Sequence, residues 1–460
     1  MSTDTSFRVA VIGAGPAGFY ACEELLKSTD PVVHVDLFDR LPTPYGLVRY
    51  GVAPDHQKIK NVTAIFDKVA DSPRFHYYGN VDVGGSLSVE ELKRHYHAVM
   101  FTVGAQADRR LGVPGEDLAG SHPATSFVAW YNGHPDFRHC QFDLSCERAA
   151  VVGVGNVAVD VARILCSTPE ELAKTDIADY ALEALTRSKI REVMILGRRG
   201  PLQAAFTNPE LKELGELEGS DFQVVPDEIE LDAYSRAALE REPDKAVTKR
   251  LDILKNVATV QERTKPKLLK LRFLVSPLEL LGDSAGRVRA MRIGKNRLTE
   301  SLQAEATGEV EEVEMGLVFR SVGYKGSPLT GLPFDDKKGV IPNQAGRILD
   351  ELGAPIVGLY TAGWIKRGPS GVIGTNKPCA KESAAHILTD LRDGKLPPPQ
   401  DTDLGSVLTS KGVRHVGYAE WKTIDNHEKE RGQALGRPRL KLTSVEEMIS
   451  VLESASLSPA

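Results

Sequence analysis

Apolar runs too short to be helices alternate with longer stretches of helical spacing, and the alternation comes round twice. Residues 9–12 (VAVI) carry no polar partner positions, the mark of a parallel strand buried on both faces. Helical spacing follows over 19–27, then a second apolar run at 32–38, an amphipathic helix over 58–70, and a helix opening on Ser88 with Glu91 three residues on, a capping box. A further buried strand is predicted at 98–104. After a Pro/Gly-rich turn region at 109–117, where the chain crosses between domains, the order returns: strand at 149–154, helix at 157–165, strand at 193–196. Residues 222–272 read as polar and helix-prone, 271–281 and 288–293 as a hairpin, and 317–323 and 359–363 as late strands. A helix over 379–393, a Pro-rich linker at 396–399 and a tail (404–452) with two helical patterns complete the chain.

Both repeats carry a glycine turn where strand meets helix. RVAVIGAGPAG (8–18) supplies Gly13, Gly15 and Gly18 as GxGxxG, and Asp39 lies 21 residues beyond Gly18 at the end of the next strand. Glycines there permit a tight turn and close backbone approach; the helix N-terminus offers amides and dipole to a pyrophosphate, and the acid can accept a ribose hydroxyl. In the second repeat Gly153, Gly155 and Ala158 give GxGxxA, and the strand at 193–196 ends not in an acid but in Gly197, Arg198 and Arg199. Guanidinium groups suit a 2′-phosphate, which an Asp would repel, so this repeat reads as binding NADPH rather than NADH. The gap from Gly155 to Arg198 is about twice the usual ~20 residues, which makes 167–190 an inserted helical excursion. The fold class expected is α/β, with two Rossmann-like dinucleotide-binding domains, the NADP domain (108–324) inserted into a discontinuous FAD domain (1–107 and 325–460).

Composition narrows the field. At 460 residues, 41% hydrophobic and 26% charged, the chain has room for two to three well-cored domains, and a net charge of −6 argues against a nucleic-acid binder. The five cysteines, at positions 22, 140, 146, 166 and 379, form no CxxC. Neither a redox disulfide, a zinc site nor an iron–sulfur cluster is therefore expected, and metal ligands are expected to be absent. Strand one begins within eight residues of an acidic N-terminus, so no signal or transit peptide and no membrane span is expected, and a cytoplasmic location is.

The strings PTPYGLVRYGVAPDH (42–56), GNVAVDVARIL (155–165), GRRGPLQAAFT (197–207) and GWIKRGPSGVIGTNK (363–377) together resemble the adrenodoxin reductase family, ferredoxin-NADP reductases of the two-dinucleotide flavoprotein type, and its actinobacterial members most of all. The resemblance runs over nearly the whole chain. It implies FAD contacts at Ala14, Asp39, Leu47, Val83, Trp364, Gly371, Val372 and Ile373, although the family usually has Glu where Asp39 stands. It implies NADP contacts at Arg109, Gly155, Asn156, Val157, Ala158, Arg198, Arg199, Glu210 and Gly371. The activity implied is hydride transfer from NADPH to flavin N5 and single-electron delivery to a ferredoxin-type iron–sulfur protein, with no ferredoxin fused at the N-terminus. Hydride transfer needs no side-chain base, so placing the two rings is the main task. His56 and Glu213, in family-matching strings, are candidates for relaying the N5 proton or orienting nicotinamide; the competing reading makes His56 a loop cap and Glu213 a solvated helix residue. An alternative function is an NADPH-dependent diaphorase or redox sensor without a ferredoxin partner. Because ferredoxins are acidic, a local basic patch is expected, with Lys245, Lys249, Arg250 and, from the first domain, Lys27 as its donors.

Overall fold

The computed structural model describes residues 6–260 and 262–457, with the side chain of Leu457 left aside. The chain divides into two compact units: one takes the residues up to Val52, His56–Ala107 and everything from Gly323 onward, the other Ala53–Asp55 and Asp108–Val322.

The first unit is built on a seven-stranded sheet. Its parallel part holds β1 (Phe7–Ile12), β2 (Val33–Phe38), β3 (Phe75–Tyr78) and β4 (Ala98–Phe101) in the order β4-β1-β2-β3, with the late strand Pro355–Thr361 parallel to β4 and the short strands Arg347–Leu349 and Asn343–Gln344 added antiparallel outside it. Val9, Ala10 and Val11 are fully buried, as the unbroken apolar run requires. Helix α1 (Pro16–Leu26) packs along the helix Asn376–Arg392, and Phe19 stacks on Phe66 at 4.7 Å. Ser88 and Glu91 form the expected capping box on the helix Val89–His95, and bonds to Lys411 and Ser88 hold the Glu91 carboxyl down at about 2. The helical spacing over 58–70 resolves into two pieces, Gln57–Lys60 and Thr63–Ala70. The tail has three helices rather than two, Leu404–Ser410, Tyr418–Gln433 and Val445–Leu457; the first, at seven residues, covers less than two turns and shows no sustained periodicity.

One buried carboxylate ties this sheet together. Asp36 on β2 accepts Arg8 Nη2 at 2.9 Å and the Tyr96 hydroxyl at 2.6 Å, and lies 3.1 Å from His76 Nδ1. Burial opposes its ionisation, yet His76, Tyr96 and Arg8 together hold its carboxyl below the usual range; the Asp36 hydrogen bond in turn raises His76 above an ordinary histidine.

The second unit carries a six-stranded sheet, parallel throughout, in the order Ser121–Pro123, Leu317–Arg320, Arg148–Val152, Glu192–Leu196, Lys267–Arg272, Ser220–Val224. The excursion over 167–190 is helical, with Pro169–Leu172 and Asp179–Thr186. Two strands inside the stretch read as helix-prone, Ser220–Val224 and Lys267–Arg272, belong to this sheet, so Leu271 is not part of the hairpin. Ser220–Val224 was hidden by its polar alternate positions, buried and half-exposed residues in turn, and Lys267–Arg272 by lysines spaced three apart, a helical interval. The hairpin itself is Val275–Gly282 with Val288–Leu298, and a third strand, Ala304–Glu314, extends it into an antiparallel sheet. That strand is rich in glutamate and mostly exposed; Arg289, Arg292, Lys295 and Arg297 of the middle strand form ion pairs with its acids.

Candidate functional site

In the first unit the glycine turn and its surroundings converge. Gly13 has φ +103, and a Cβ there would stand 2.8 Å from the carbonyl oxygen of Thr102; a Cβ on Gly18 would stand 2.1 Å from that of Gly13. Both must be glycine for β1 and α1 to meet this closely. Gly15 caps α1 without any side-chain hydrogen bond, and a Cβ on it would meet no atom within 4 Å. The first amides of an eleven-residue helix thus begin beside open space, which fits the diphosphate of a dinucleotide. Asp39 accepts the Ala14 N–H at 2.8 Å and the Leu41 N–H at 3.0 Å, and desolvation raises its carboxyl despite those donors.

The loop 42–51 lies on that turn. The Tyr45 N–H donates to the Ala14 carbonyl at 2.8 Å, and Leu47, 46% exposed, opens the short helix Leu47–Tyr50. The loop is fastened from the tail. Tyr45, at φ +83, shares its hydroxyl with Asp67, Tyr418 and Trp421, while Arg49 and Glu428 form a buried pair. From the late strand, Gly363 brings the chain against α1, where a Cβ would stand 2.7 Å from the Ala17 Cβ. Trp364 follows, stacked on Tyr324 at 6.0 Å, its indole N–H donating to Ser370 at 3.2 Å. Arg367 laces the loop bearing Gly371, Val372 and Ile373 through Ser370 Oγ at 2.9 Å and Asn376 Oδ1 at 3.0 Å. Val83 is largely buried at a bridge to Leu87. His56 occupies the N-cap position of Gln57–Lys60, but its side chain makes no capping bond.

The second unit repeats the arrangement. Gly155 caps the helix Asn156–Cys166 without a side-chain bond, and a Cβ on it would again meet nothing within 4 Å; Ala158 is fully buried behind it. Beyond Glu192–Leu196, Arg198 is exposed and Arg199 half-buried. The following loop is stitched to the turn, Ala205 and Phe206 both donating to the Val154 carbonyl at 2.9 and 3.0 Å, and Thr207 to Asn156 Oδ1 at 3.0 Å. Gln203 in that loop has both amide atoms buried without a hydrogen-bond partner among the described residues, an orphan that fits a polar ligand at this turn. Arg163, in the last turn of the same helix, gathers Asp55 at 2.7 Å, Asp160 at 2.8 Å, Glu210 at 3.2 Å and Glu213 at 3.5 Å. Glu210 and Glu213 are thus brought together, Glu210 buried and Glu213 with its side chain 39% exposed. Arg109 is exposed.

The expected basic patch loses a member. Arg250 is 9% exposed and donates to the carbonyls of Pro201 and Phe206 at 3.3 and 3.4 Å, because it shares the inward face of the helix Lys245–Ala258 with Leu254. Lys245 and Lys249 on the same helix are exposed; Lys27 pairs with Glu23 at 2.8 Å.

Known proteins match this chain from end to end. An NADPH-ferredoxin reductase, FprA, of Mycobacterium tuberculosis is 45% identical over 463 positions, covering 97% of this chain and 99% of the relative. The chain belongs to the adrenodoxin reductase family. A mitochondrial NADPH:adrenodoxin oxidoreductase of Salvelinus fontinalis is 44% identical over 98% of this chain and 93% of its own length. Among solved structures of this family, M. tuberculosis FprA in complex with NADPH superposes with a TM-score of 0.91 at 44% identity, over 98% of this chain and all of that one. The family model for pyridine nucleotide-disulphide oxidoreductases matches residues 7–211, which span the first glycine turn and reach past the arginine pair. All five cysteines are free in this structure. Among the described residues no helix is long and apolar enough to cross a membrane.

Beyond the glycine strings, sequence reading missed Tyr45, Arg49 and Arg367, which hold the binding loops, and the orphaned Gln203. Each sits inside a quoted family string, but no spacing rule marks Tyr45 or Arg49, whose partners are remote in sequence, nor Arg367 or Gln203, whose surroundings form only once their loops are folded.

Proposed function

We propose that the chain is an FAD-dependent NADPH-ferredoxin reductase, working in a reducing, cytoplasmic setting. The observation that carries this reading is the contrast between matching positions of the two repeats. Two open, uncapped helix N-termini follow parallel strands, but the next strand ends in Asp39 in one unit and in Arg198 and Arg199 in the other. When bound, FAD would accept a hydride from NADPH and release electrons one at a time to an iron–sulfur protein.

The chain's own residues do the placing. Amides at Gly15 and the start of α1 hold the FAD pyrophosphate, and Asp39 uses its remaining lone pairs for a ribose hydroxyl. Leu47, Val83, Trp364 and Gly371 to Ile373 would supply further contacts to bound FAD. Gly155 to Ala158 hold the NADPH pyrophosphate, Arg198 and Arg199 its 2′-phosphate, with Arg109 and Glu210 as further contacts. Arg163 fixes the direction of the Glu213 carboxylate, and Glu213 and His56 are each candidates for orienting nicotinamide or moving the proton of flavin N5. Exposed lysines such as Lys245 and Lys249 attract an acidic ferredoxin.

Anaerobic titration of the purified protein tests the reading. Denaturation should release FAD, NADPH should bleach the flavin faster than NADH, and a ferredoxin should reoxidise it. Recovery of FMN or no flavin would refute the cofactor assignment, and reduction without transfer to any ferredoxin would favour a diaphorase.

A further inference from the structure

The turn that carries Arg198 and Arg199 is held from behind by elements outside the nucleotide-binding repeat. Its backbone is bracketed by the segment leading into the antiparallel sheet: Gly197 N–H donates to the Arg272 carbonyl at 2.9 Å, Val275 N–H to that of Gly197 at 3.0 Å, and Leu274 N–H to that of Arg199 at 3.2 Å. The remaining carbonyl, that of Arg198, takes the side-chain amide of Asn296 at 2.8 Å, while the same nitrogen lies 2.8 Å from Ser276 Oγ. Asn296 stands on Val288–Leu298 where the pairing with Ala304–Glu314 skips a residue between Gly294 and Asn296, and such a bulge re-aims a side chain. The second prop is Arg250. Its guanidinium lies over the Phe206 ring at 5.6 Å and bonds the carbonyls of Pro201 and Phe206 on the loop that continues from Arg199. Asp244 attracts its charge, but no ion pair is formed among the described residues, so the direct partners of the guanidinium are the loop's carbonyls.

We infer that Asn296 and Arg250 are specificity-determining positioning residues, which hold the Arg198–Arg199 turn in the shape that receives a 2′-phosphate. The inference rests on the reading of that pair as phosphate ligands. Two long arginine side chains on an unsupported turn would lose conformational freedom at the moment of binding; a turn fixed at every carbonyl has lost it already, and the gain falls on the ligand that reaches the arginines. The antiparallel sheet, which contributes no strand to the parallel sheet, then has a function in this unit. It is the scaffold behind cofactor choice.

Calorimetric titration of the FAD-loaded protein with 2′,5′-ADP and with 5′-AMP separates this from a general structural role, because the two probes differ only in the phosphate concerned. Asn296→Leu, which keeps the branched outline of the side chain and removes the donor, should weaken 2′,5′-ADP roughly three- to tenfold and leave 5′-AMP unchanged. Asn296→Gln, which keeps an amide donor, should restore part of the loss. Arg250→Met should act in the same direction and Arg250→Lys less strongly; should Arg250→Met fail to fold, the Asn296 series decides alone. Equal weakening of both probes, or of neither, in Asn296→Leu overturns the inference. Arg199→Ala is the control: if it leaves 2′,5′-ADP binding intact, the phosphate assignment fails and takes the inference with it, whereas loss there with full binding in Asn296→Leu removes only the props.

Discussion

Arg49 and Glu428, 379 positions apart in sequence, meet in a two-pronged ion pair, Nη1 to Oε2 at 2.9 Å and Nη2 to Oε1 at 2.5 Å, with side chains 4% and 0% exposed. Burial works against the Arg49 charge, and Glu428 more than offsets it. Glu428 also accepts Arg439 and the Leu442 N–H, so the pair is the centre of a network that joins the loop over the first glycine turn to the tail. Removing one partner leaves a buried charge uncompensated. Glu428→Gln should therefore destabilise by about 3–5 kcal/mol and raise the fraction of protein purified without flavin. Denaturant midpoints and the ratio of flavin to protein absorbance check both; an unchanged midpoint would show the pair is not holding the loop.

His76 supplies a pH dependence. Its folded-state pKa is raised by Asp36, so its contribution is complete below about pH 6.5, the unfolded value, and is lost as pH rises through the higher folded one. Asp36 works oppositely: held low in the fold, it contributes above about pH 3.9 and loses that contribution as pH falls. In urea titrations from about pH 6 upward, His76→Gln should flatten the decline seen in the parent chain. An identical slope in both would assign the decline to another group.

The third position of each turn, Gly18 in one and Ala158 in the other, can be exchanged as a pair of tests. Gly18→Ala drives a Cβ to 2.1 Å from the Gly13 carbonyl and should abolish flavin retention or folding. Ala158→Gly meets no such wall, and should cost no more than about 1 kcal/mol, the helix penalty of glycine. Melting temperatures of the two variants give the comparison, and equal tolerance would mean the turns are not packed as described.

Arg199→Ala should raise the Michaelis constant for NADPH about tenfold or more, since a charge-assisted hydrogen bond contributes roughly 1.5–3 kcal/mol. NADH should be almost unaffected. Steady-state reduction of ferricyanide with each nucleotide measures the split, and undiminished discrimination would move the phosphate site elsewhere.

What could be read from the sequence was whatever lay close together along it. The unbroken apolar run of β1, the glycine turns, the Ser88 capping box and the arginines after Leu196 all show in windows of a dozen residues or fewer, and each stands in the structure where its string put it. Strands with polar alternate positions, such as Ser220–Val224, lost their signal among charged helices. The fastenings were hidden for a different reason. Arg49 and Asn296 are each ordinary polar residues in their own neighbourhood, and only the folded chain brings Arg49 to Glu428 or Asn296 to the Arg198 carbonyl. Arg250 misled because its neighbour Lys249 does face solvent, and one residue of helix is enough to turn a side chain from surface to core.

The interrupted sequence of the first unit also sets an order of construction during synthesis. β1 to β4 leave the ribosome early, but β4 waits for its neighbour Pro355–Thr361, and Arg49 waits for Glu428, until nearly the whole chain has been made. The second unit apart from Ala53–Asp55 lies wholly within that interval and has every strand of its sheet before the first unit can close. Nascent chains stalled short of the last helices should therefore bind immobilised 2′,5′-ADP while still unable to retain a flavin.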